Sequence, residues 1–432
     1  MSPSAAPTFN LKVVLKETGI AADTLRAWER RYGLPMPERT PGGHRLYSQR
    51  DIETIKWLMT KQGEGLSISR AVDLWKEECA SGLDPLAAPR PTGVFAVPTA
   101  NLASARQQWL EACLAFDEIA AEQAINQAFA MYPVETVCIE LLQRGLHQIG
   151  EMWYTGEVTV QHEHFASGLI ARRLDALIAA TPLPTRPQTV LIGCPPAEWH
   201  TLPLLLMTLL LRRRGMNVFY LGANVPTERF EETLSIVRPN LVVLAAQQLH
   251  TAASLQETAR YLDARGATVG YGGRIFNLRP ELRMRIPAHF LGEMLGTSLE
   301  TIENILSTKP AAPSVAPLTK PENRLLQDFK YNRPMIEFYL ATEIHELGLP
   351  IEHMHIATQS LGDDLEAALA LGTLDSVYAE MDWIRGLMQQ RNITYPTLKA
   401  YLRAYAQSVE KAMGSVGQIV SDWLTAKAET GE

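Results

Sequence analysis

Two neighbouring stretches decide the fold of the N-terminal block: Thr24-Leu25-Arg26-Ala27-Trp28-Glu29-Arg30-Arg31-Tyr32-Gly33, and Arg39-Thr40-Pro41-Gly42-Gly43-His44-Arg45-Leu46-Tyr47. The first lies in the later of two short helical segments, Val13–Thr18 and Ala22–Tyr32, which Gly19 separates. The later helix is expected to start after Asp23, a good cap. The second stretch predicts a hairpin turned by its glycines, after which Asp51 opens another helix. From Asp23 to Arg50 there are six arginines against three acids (Asp23, Glu29, Glu38), a local net +3, with His44 in addition, inside a chain whose net charge is −7. The whole chain is therefore no general polyanion binder, and any nucleic-acid contact has to come from this basic face. Within it, Trp28 and Leu46 read as core.

Outward from there, the 432 residues suffice for two to four domains, and 46% hydrophobic with 20% charged residues is globular composition. Two stretches read as semi-rigid tethers: residues 85–98 hold four prolines in fourteen residues, and Lys309 to Pro321 hold four in thirteen. Cys79, Cys113, Cys138 and Cys194 show no Cys-x-x-Cys spacing, which argues against a disulfide framework or a thiolate metal site and fits a reducing cytoplasm. A signal peptide is not expected. The most apolar run, Leu202 to Leu211, is about half the length a membrane span needs.

Residues 101–181 are helical in pattern: Trp109, Cys113, Phe116, Ile119 and Ala120 recur at helical steps, as do Ile139, Leu142, Leu146 and Ile149. Residues 188–300 alternate β-rich runs (Thr189–Cys194, Val218–Leu221, Leu241–Ala246, Thr268–Tyr271) with helices starting near Pro203, Pro226 and Ala252. That alternation predicts parallel strands with helices on both faces. Residues 322–432 offer helical runs at about 323–343, 351–371, 373–390 and 395–427, and an antiparallel bundle is the default reading.

The N-terminal strings, from Thr24 to Gly33 and from Arg39 to Tyr47, resemble the MerR family of winged helix-turn-helix regulators over residues 10–78. The resemblance implies a recognition helix in the major groove and a wing on the flanking backbone, used as a dimer on double-stranded promoter DNA. Arg26, Arg30 and Arg31 are then helix contacts, and Arg45 and Tyr47 wing contacts.

In the middle block, Glu198-x-His200 follows the first strand, Ala245 lies 42 residues past Pro203, and Gly272-Gly273 follows 27 residues later. This layout is similar to the cobalamin-binding signature Asp-x-His-x-x-Gly…Ser-x-Leu…Gly-Gly. Glu198 stands for Asp, Pro203 for Gly and Ala245 for Ser. By that resemblance His200 is the metal ligand under cobalt and Glu198 its carboxylate partner, while Gly272 and Gly273 make room for the nucleotide tail. Imidazole suits cobalt, and a carboxylate on its other nitrogen fixes the tautomer. The preceding helices carry Met152-Trp153-Tyr154-Thr155-Gly156-Glu157-Val158 and Gln161-His162-Glu163-His164-Phe165-Ala166-Ser167. These resemble the capping bundle of CarH/LitR-type photoregulators, where a Trp and a Glu-His pair ten residues on line the upper face of the cofactor. Trp153, Glu163 and His164 match that spacing. The family implies adenosylcobalamin, whose photolysis changes the oligomer that binds DNA. Tyr154 stands where those photoregulators carry a His that binds cobalt once the adenosyl group has gone; a phenol is a poor ligand near neutral pH, so either His162 or His164 substitutes or the light state is aqua-ligated.

The expected organisation is multidomain α and α/β. Residues 1–80 form a winged helix-turn-helix, 81–100 a linker, 101–183 a capping helical bundle and 186–308 a Rossmann-like cobalamin domain. A second linker spans 309–321, and 322–432 form a C-terminal helical bundle. The function expected is a cytoplasmic, homo-oligomeric transcriptional regulator, a dimer or tetramer, switched by cobalamin and not an enzyme. Two other readings stand beside it. One is a MerR-type regulator that senses another ligand, such as a tetrapyrrole, through the C-terminal bundle with its His345, His353 and His355. The other is a corrinoid carrier module of a methyltransferase, which has no use for a helix-turn-helix.

Overall fold

The computed structural model describes residues 7–39, 43, 45–63, 68–80, 86, 99–347, 351–377 and 394–430. His44 and nearly all of the first proline-rich linker lie outside the described residues. The chain divides into two compact units, Met1–Thr99 and Ala100–Glu432.

The first unit runs β1 (Pro7–Asn10), α1 (Leu11–Thr18), α2 (Ala22–Tyr32), β2 (Glu38–Arg39), β3 (Arg45–Ser48), α3 (Gln49–Gly63) and α4 (Ile68–Ala80). β3 is the middle strand, with β1 and β2 antiparallel on either side, so the expected hairpin is joined by a strand from before the first helix. Asn10 caps α1 by accepting from the Val13 amide at 3.1 Å, and Gly19, at φ 72°, ends it in the left-handed region. α2 begins at Ala22, two residues before the start that a cap at Asp23 would give: Asp23 sits inside its first turn, where its charge suits the dipole, and does not cap it. Val14, Leu25, Trp28, Tyr47, Ile52, Ile55 and Leu58 share one core.

The second unit opens with α5 (Thr99–Leu114), α6 (Glu118–Met131) and α7 (Val134–Val137). A π-helical segment, Cys138–Gln143, then leads into α8 (Arg144–Tyr154) and α9 (Val160–Ala179). Two residues of the apolar pattern do not enter the core: Phe116 and Ile119 are exposed. The helix breaks between them, where Asp117 accepts from the Ala120 amide at 2.9 Å and starts α6, so the periodicity did not run through one helix.

The α/β part comprises β4 (Thr189–Gly193), α10 (Leu202–Arg213), β5 (Asn217–Tyr220), α11 (Phe230–Val237), β6 (Leu241–Ala245), α12 (Leu249–Asp263), β7 (Val269–Gly272), α13 (Arg274–Leu278), β8 (His289–Phe290) and α14 (Leu295–Thr308). The strands are parallel in the order β5-β4-β6-β7-β8, and the sequence pattern missed the short last one. Residues of β6 are buried on both faces, as covered parallel sheets require. α10 and α14 pack on Val190, Ile192 and Val243, and α12 packs on Leu191, Val242 and Leu244 across the sheet. The helix expected near Pro226 starts only at Phe230.

The chain then continues through α15 (Lys320–Glu346), α16 (Ile351–Leu371), α17 (Tyr395–Met413) and α18 (Gln418–Thr430). Thr319 and Glu322 form a capping box that fixes the start of α15. The run expected as one helix over 395–427 is two, because Gly414 at φ 56° ends α17. Of the run at 373–390, Leu374–Val377 is a 3-10 turn and 378–393 lie outside the described residues. The second proline-rich stretch does not tether an independent body. Leu361, Leu365 and Ala368 of α16 join Leu249, Ala252, Leu255 and Ala259 of α12 in one core. Among the described residues, no helix is long and apolar enough to cross a membrane.

Candidate functional site

The loop after β4 is built around a buried carboxylate. Glu198 has no exposed surface, while the His200 side chain two residues on is 57% exposed. Glu198 Oε1 accepts from the His200 amide at 2.9 Å and from His200 Nδ1 at 2.7 Å. Its Oε2 accepts from the Gln247 amide at 2.7 Å and from the Thr251 hydroxyl at 2.7 Å. Burial alone would raise the Glu198 pKa, but the bonds from His200, Thr251 and Gln247 outweigh it and hold the carboxyl below its usual range. The carboxylate also sits at the N-terminal end of α12, where the helix dipole favours negative charge. His200 moves the other way: its bond to Glu198 raises its pKa against the opposing effect of burial, and the Glu163 charge adds to the rise. With Nδ1 committed to Glu198, Nε2 is the nitrogen left for a metal. The loop backbone is held as firmly. Ala197, at φ 65°, is a non-glycine residue in the left-handed region, and its amide donates to Asn224 Oδ1 at 2.8 Å. The Asn224 amide in turn donates to the Glu198 carbonyl at 2.9 Å.

Thr251 is the functional residue that sequence reading missed. The signature places a hydroxyl at 245, where this chain has Ala; the hydroxyl arrives instead from the first turn of α12. A Thr three residues after the α12 N-cap, facing the strand ends, was the available signal. Pro203 sits in the first turn of α10, where its missing N–H costs nothing.

The glycine pair has two different jobs. At Gly273, φ 124°, an added Cβ would lie 1.9 Å from the Ala246 carbonyl oxygen, so no side chain is tolerated there. At Gly272 an added Cβ would meet nothing within 4 Å, which leaves open space beside the sheet. Next to them, Gln247 Oε1 accepts from the Arg274 amide, while its buried Nε2 has no partner among the described residues. A bare slot with an unused buried donor, beside an oriented and exposed imidazole, fits a corrinoid with a polar tail.

The bundle residues lie on α8 and α9. Trp153 is half-buried and Tyr154 exposed near the end of α8. His164 is exposed, with Nδ1 2.7 Å from Glu163 Oε2. The Glu163 charge reaches His200 and helps raise its pKa, and α9 packs against α10 of the α/β part. His162 does different work: its Nδ1 accepts from the Thr159 amide at 3.2 Å, which caps α9, and its ring stacks on Phe116 at 4.5 Å.

In the first unit, Arg26, Arg30 and Arg31 are exposed on α2, and Arg26 makes a 3.5 Å ion pair with exposed Asp23. The wing departs from expectation. Tyr47 is fully buried and its hydroxyl donates to Glu29 Oε1 at 2.6 Å, so it is a core residue and no DNA contact. Burial and the Glu29 carboxylate push its pKa far up. Arg45 Nε binds the other Glu29 oxygen at 2.8 Å, which ties the wing to α2 and leaves the guanidinium partly exposed.

Comparison with known proteins agrees with this geometry. Residues 9–78 match the MerR HTH family regulatory protein family, and residues 105–178 and 188–305 match two B12 binding domain families. The chain is 32% identical over 293 residues to the HTH-type transcriptional repressor CarH of Myxococcus xanthus, covering 67% of this chain and 97% of that protein. The chain belongs to the cobalamin-dependent, MerR-type family of transcriptional regulators. A second member, the HTH-type transcriptional repressor CarA of the same organism, is 32% identical over 241 residues, 55% of this chain and 76% of its own. The HTH-type transcriptional regulator MlrA of Escherichia coli K12 is 46% identical over 55 residues, 13% of this chain and 23% of its own.

Relative to this MerR-type cobalamin family, the block after residue 305 is additional to the matched segments. His345 is exposed on α15, and the side chains of His353 and His355 lie outside the described residues. Among the described residues, no group of three or more His, Cys, Asp or Glu is placed to hold a metal ion.

Proposed function

We propose that this DNA-binding, cobalamin-regulated transcription factor uses adenosylcobalamin as a light-sensitive tether between its capping bundle and its α/β domain. When bound, that cofactor supplies a cobalt–carbon bond that visible light breaks. The protein's own residues do the rest. His200, aimed by Glu198, holds the lower face, and Gly272, Gly273 and Gln247 accept the nucleotide tail. Trp153, Glu163 and His164 would hold the adenosyl group, Trp153 by stacking and Glu163 through the sugar hydroxyls. Trp153 and Glu163 would hold the bundle against the α/β domain through the bound cofactor, and release of their contacts would free the bundle and change the oligomer. Arg26, Arg30, Arg31 and Arg45 carry the DNA interface, with a dimer or tetramer as the binding species. His162 is occupied in capping α9, which leaves His164 as the imidazole available at the upper face after light.

The observation that carries this reading is the fully buried Glu198 carboxylate holding Nδ1 of the exposed His200 at 2.7 Å, beside the open space at Gly272. The test is an absorption titration of dark-purified protein with adenosylcobalamin, repeated after green light, with size-exclusion chromatography on both samples. Binding in the dark, a spectral change on illumination and a change in oligomer size support it. A spectrum indifferent to light overturns the photochemical part, and absence of binding overturns the choice of cofactor.

A further inference from the structure

Asp364 on α16 is more than nine-tenths buried in a helical block with no evident need of a charge there. Leu361, Leu365, Ala367 and Ala368 of the same helix belong to the apolar core. A lone carboxylate in such surroundings is costly unless paired, and an apolar residue would pack as well. Its partner comes from across the interface: Asp364 Oδ1 lies 3.8 Å from Nδ1 of His250, an ion-pair separation. His250 is the second residue of α12, in the same first turn as Leu249 and Thr251. A charged imidazole at a helix N-terminus is disfavoured by the dipole, so it too needs the acid. Burial works against its protonated form, but Asp364, with Asp363 and Glu198 behind it, prevails and its pKa rises.

That turn is the one that holds the cobalt-ligand loop. Thr251, adjacent to His250, donates to Glu198 Oε2, the Gln247 amide at the entrance to the turn donates to the same oxygen, and Glu198 orients His200. An unbroken series of contacts therefore runs from α16 through His250 and the α12 turn to Glu198 and His200. We infer that Asp364 is a positioning residue for the corrinoid site, and that the C-terminal helical block braces the lower-ligand loop through His250. This rests on the reading of His200 as the lower ligand. Given that carboxylates directly behind metal ligands are worth tenfold to a hundredfold in affinity, Asp364, which reaches Glu198 only through His250 and Thr251, should be worth less, about threefold to tenfold.

The test uses full-length protein and hydroxocobalamin as the probe, read by absorption. Asp364→Asn should weaken binding about threefold to tenfold and raise the base-off fraction, while Glu366→Gln on the same helix should change neither. His250→Asn should match Asp364→Asn, and the double variant should be no worse than either single, since both cut the same link. In cofactor-free protein, amide exchange at Gln247 and His200 should rise about tenfold in Asp364→Asn. Additive losses in the double variant, or faster exchange with unchanged affinity and spectrum, would make Asp364 a stability residue and overturn the proposal. If wild type binds no cobalamin, the reading of the cofactor fails, and the exchange comparison alone decides the brace: unchanged exchange refutes it. Should Asp364→Asn not fold, His250→Asn reads the same link from its other end by the same measurements.

Discussion

Replacing Glu198 by Gln should reduce cobalamin affinity by about one to two orders of magnitude without unfolding the chain, and the arithmetic follows from its partners. All four contacts to the carboxylate are donors: two from His200 to Oε1, and one each from Gln247 and Thr251 to Oε2. An amide can offer its oxygen to one pair only. If it keeps the His200 pair, the Thr251 hydroxyl can turn to accept and give its proton to the Gln248 carbonyl at 3.0 Å, but the Gln247 amide is stranded. If it keeps the other pair, the His200 amide is stranded, and the imidazole can accept only by moving its proton to Nε2, the nitrogen the metal requires. A stranded buried N–H costs about 1–3 kcal/mol, and the surviving bonds lose charge assistance worth roughly 1 kcal/mol. Relief from burying a charge offsets part of this. The balance is about 1.5–3 kcal/mol, or roughly ten- to 150-fold. There is also a pH signature. The folded Glu198 pKa lies below its ordinary value of 4.5, so its stabilising contribution is present above that value and is lost as pH falls through the lower, folded one. Chemical denaturation between about pH 3 and 6 should therefore show a shallower acid limb in Glu198→Gln than in wild type. Equal affinity and an identical acid limb in the two proteins would refute the buried-acceptor account.

Gly273→Ala should lower the melting temperature and abolish tight corrinoid binding, because the new Cβ meets the Ala246 backbone at 1.9 Å and no side chain can yield; calorimetry showing an unchanged midpoint would contradict this. Arg213 Nε binds Glu135 Oε1 at 2.8 Å between α10 and α7, with both side chains 40–47% exposed, so Arg213→Ala should cost no more than about 1 kcal/mol. Burial opposes ionisation of Glu135 but Arg213 prevails and lowers its pKa, so that contribution should be measurable at neutral pH and be lost as pH falls from the ordinary 4.5 through the lower, folded value. In DNA-binding titrations, Arg30→Ala and Arg31→Ala should each reduce the slope of log affinity against log salt by about one, whereas Tyr47→Phe should leave the slope intact and lower stability by about 1 kcal/mol through the lost Glu29 bond; a slope that falls in Tyr47→Phe would restore Tyr47 to the interface.

Four of the five parallel strands and the Glu198–His200 loop were legible because covered parallel strands are short apolar runs and the motif sits directly after one, whereas β8 has only two residues. Tyr47 was misread because an Arg-Leu-Tyr wing does not say which face turns inward; the deciding partner, Glu29, lies eighteen residues earlier in the string. Thr251 was passed over for a similar reason: the expected hydroxyl position, 245, holds Ala, and a Thr three residues after an N-cap names no partner until the fold brings the start of α12 over the loop. The C-terminal block misled most. Proline density at 309–321 reports local backbone stiffness but not where the chain goes next, and α16 returns to share a core with α12. The long-range pair of His250 and Asp364 has no counterpart in local periodicity.

The most direct test of the central claim is DNA affinity in two states of one protein. Full-length protein loaded with adenosylcobalamin in the dark is titrated onto a duplex from its own upstream region at fixed salt, before and after green light, with His200→Ala in parallel. The account predicts that light changes the wild-type affinity by about 5- to 150-fold, the range of ordinary allosteric coupling, and that His200→Ala shows little or no such change. Equal affinity in dark and light for wild type, with cobalamin bound in the dark, would contradict it.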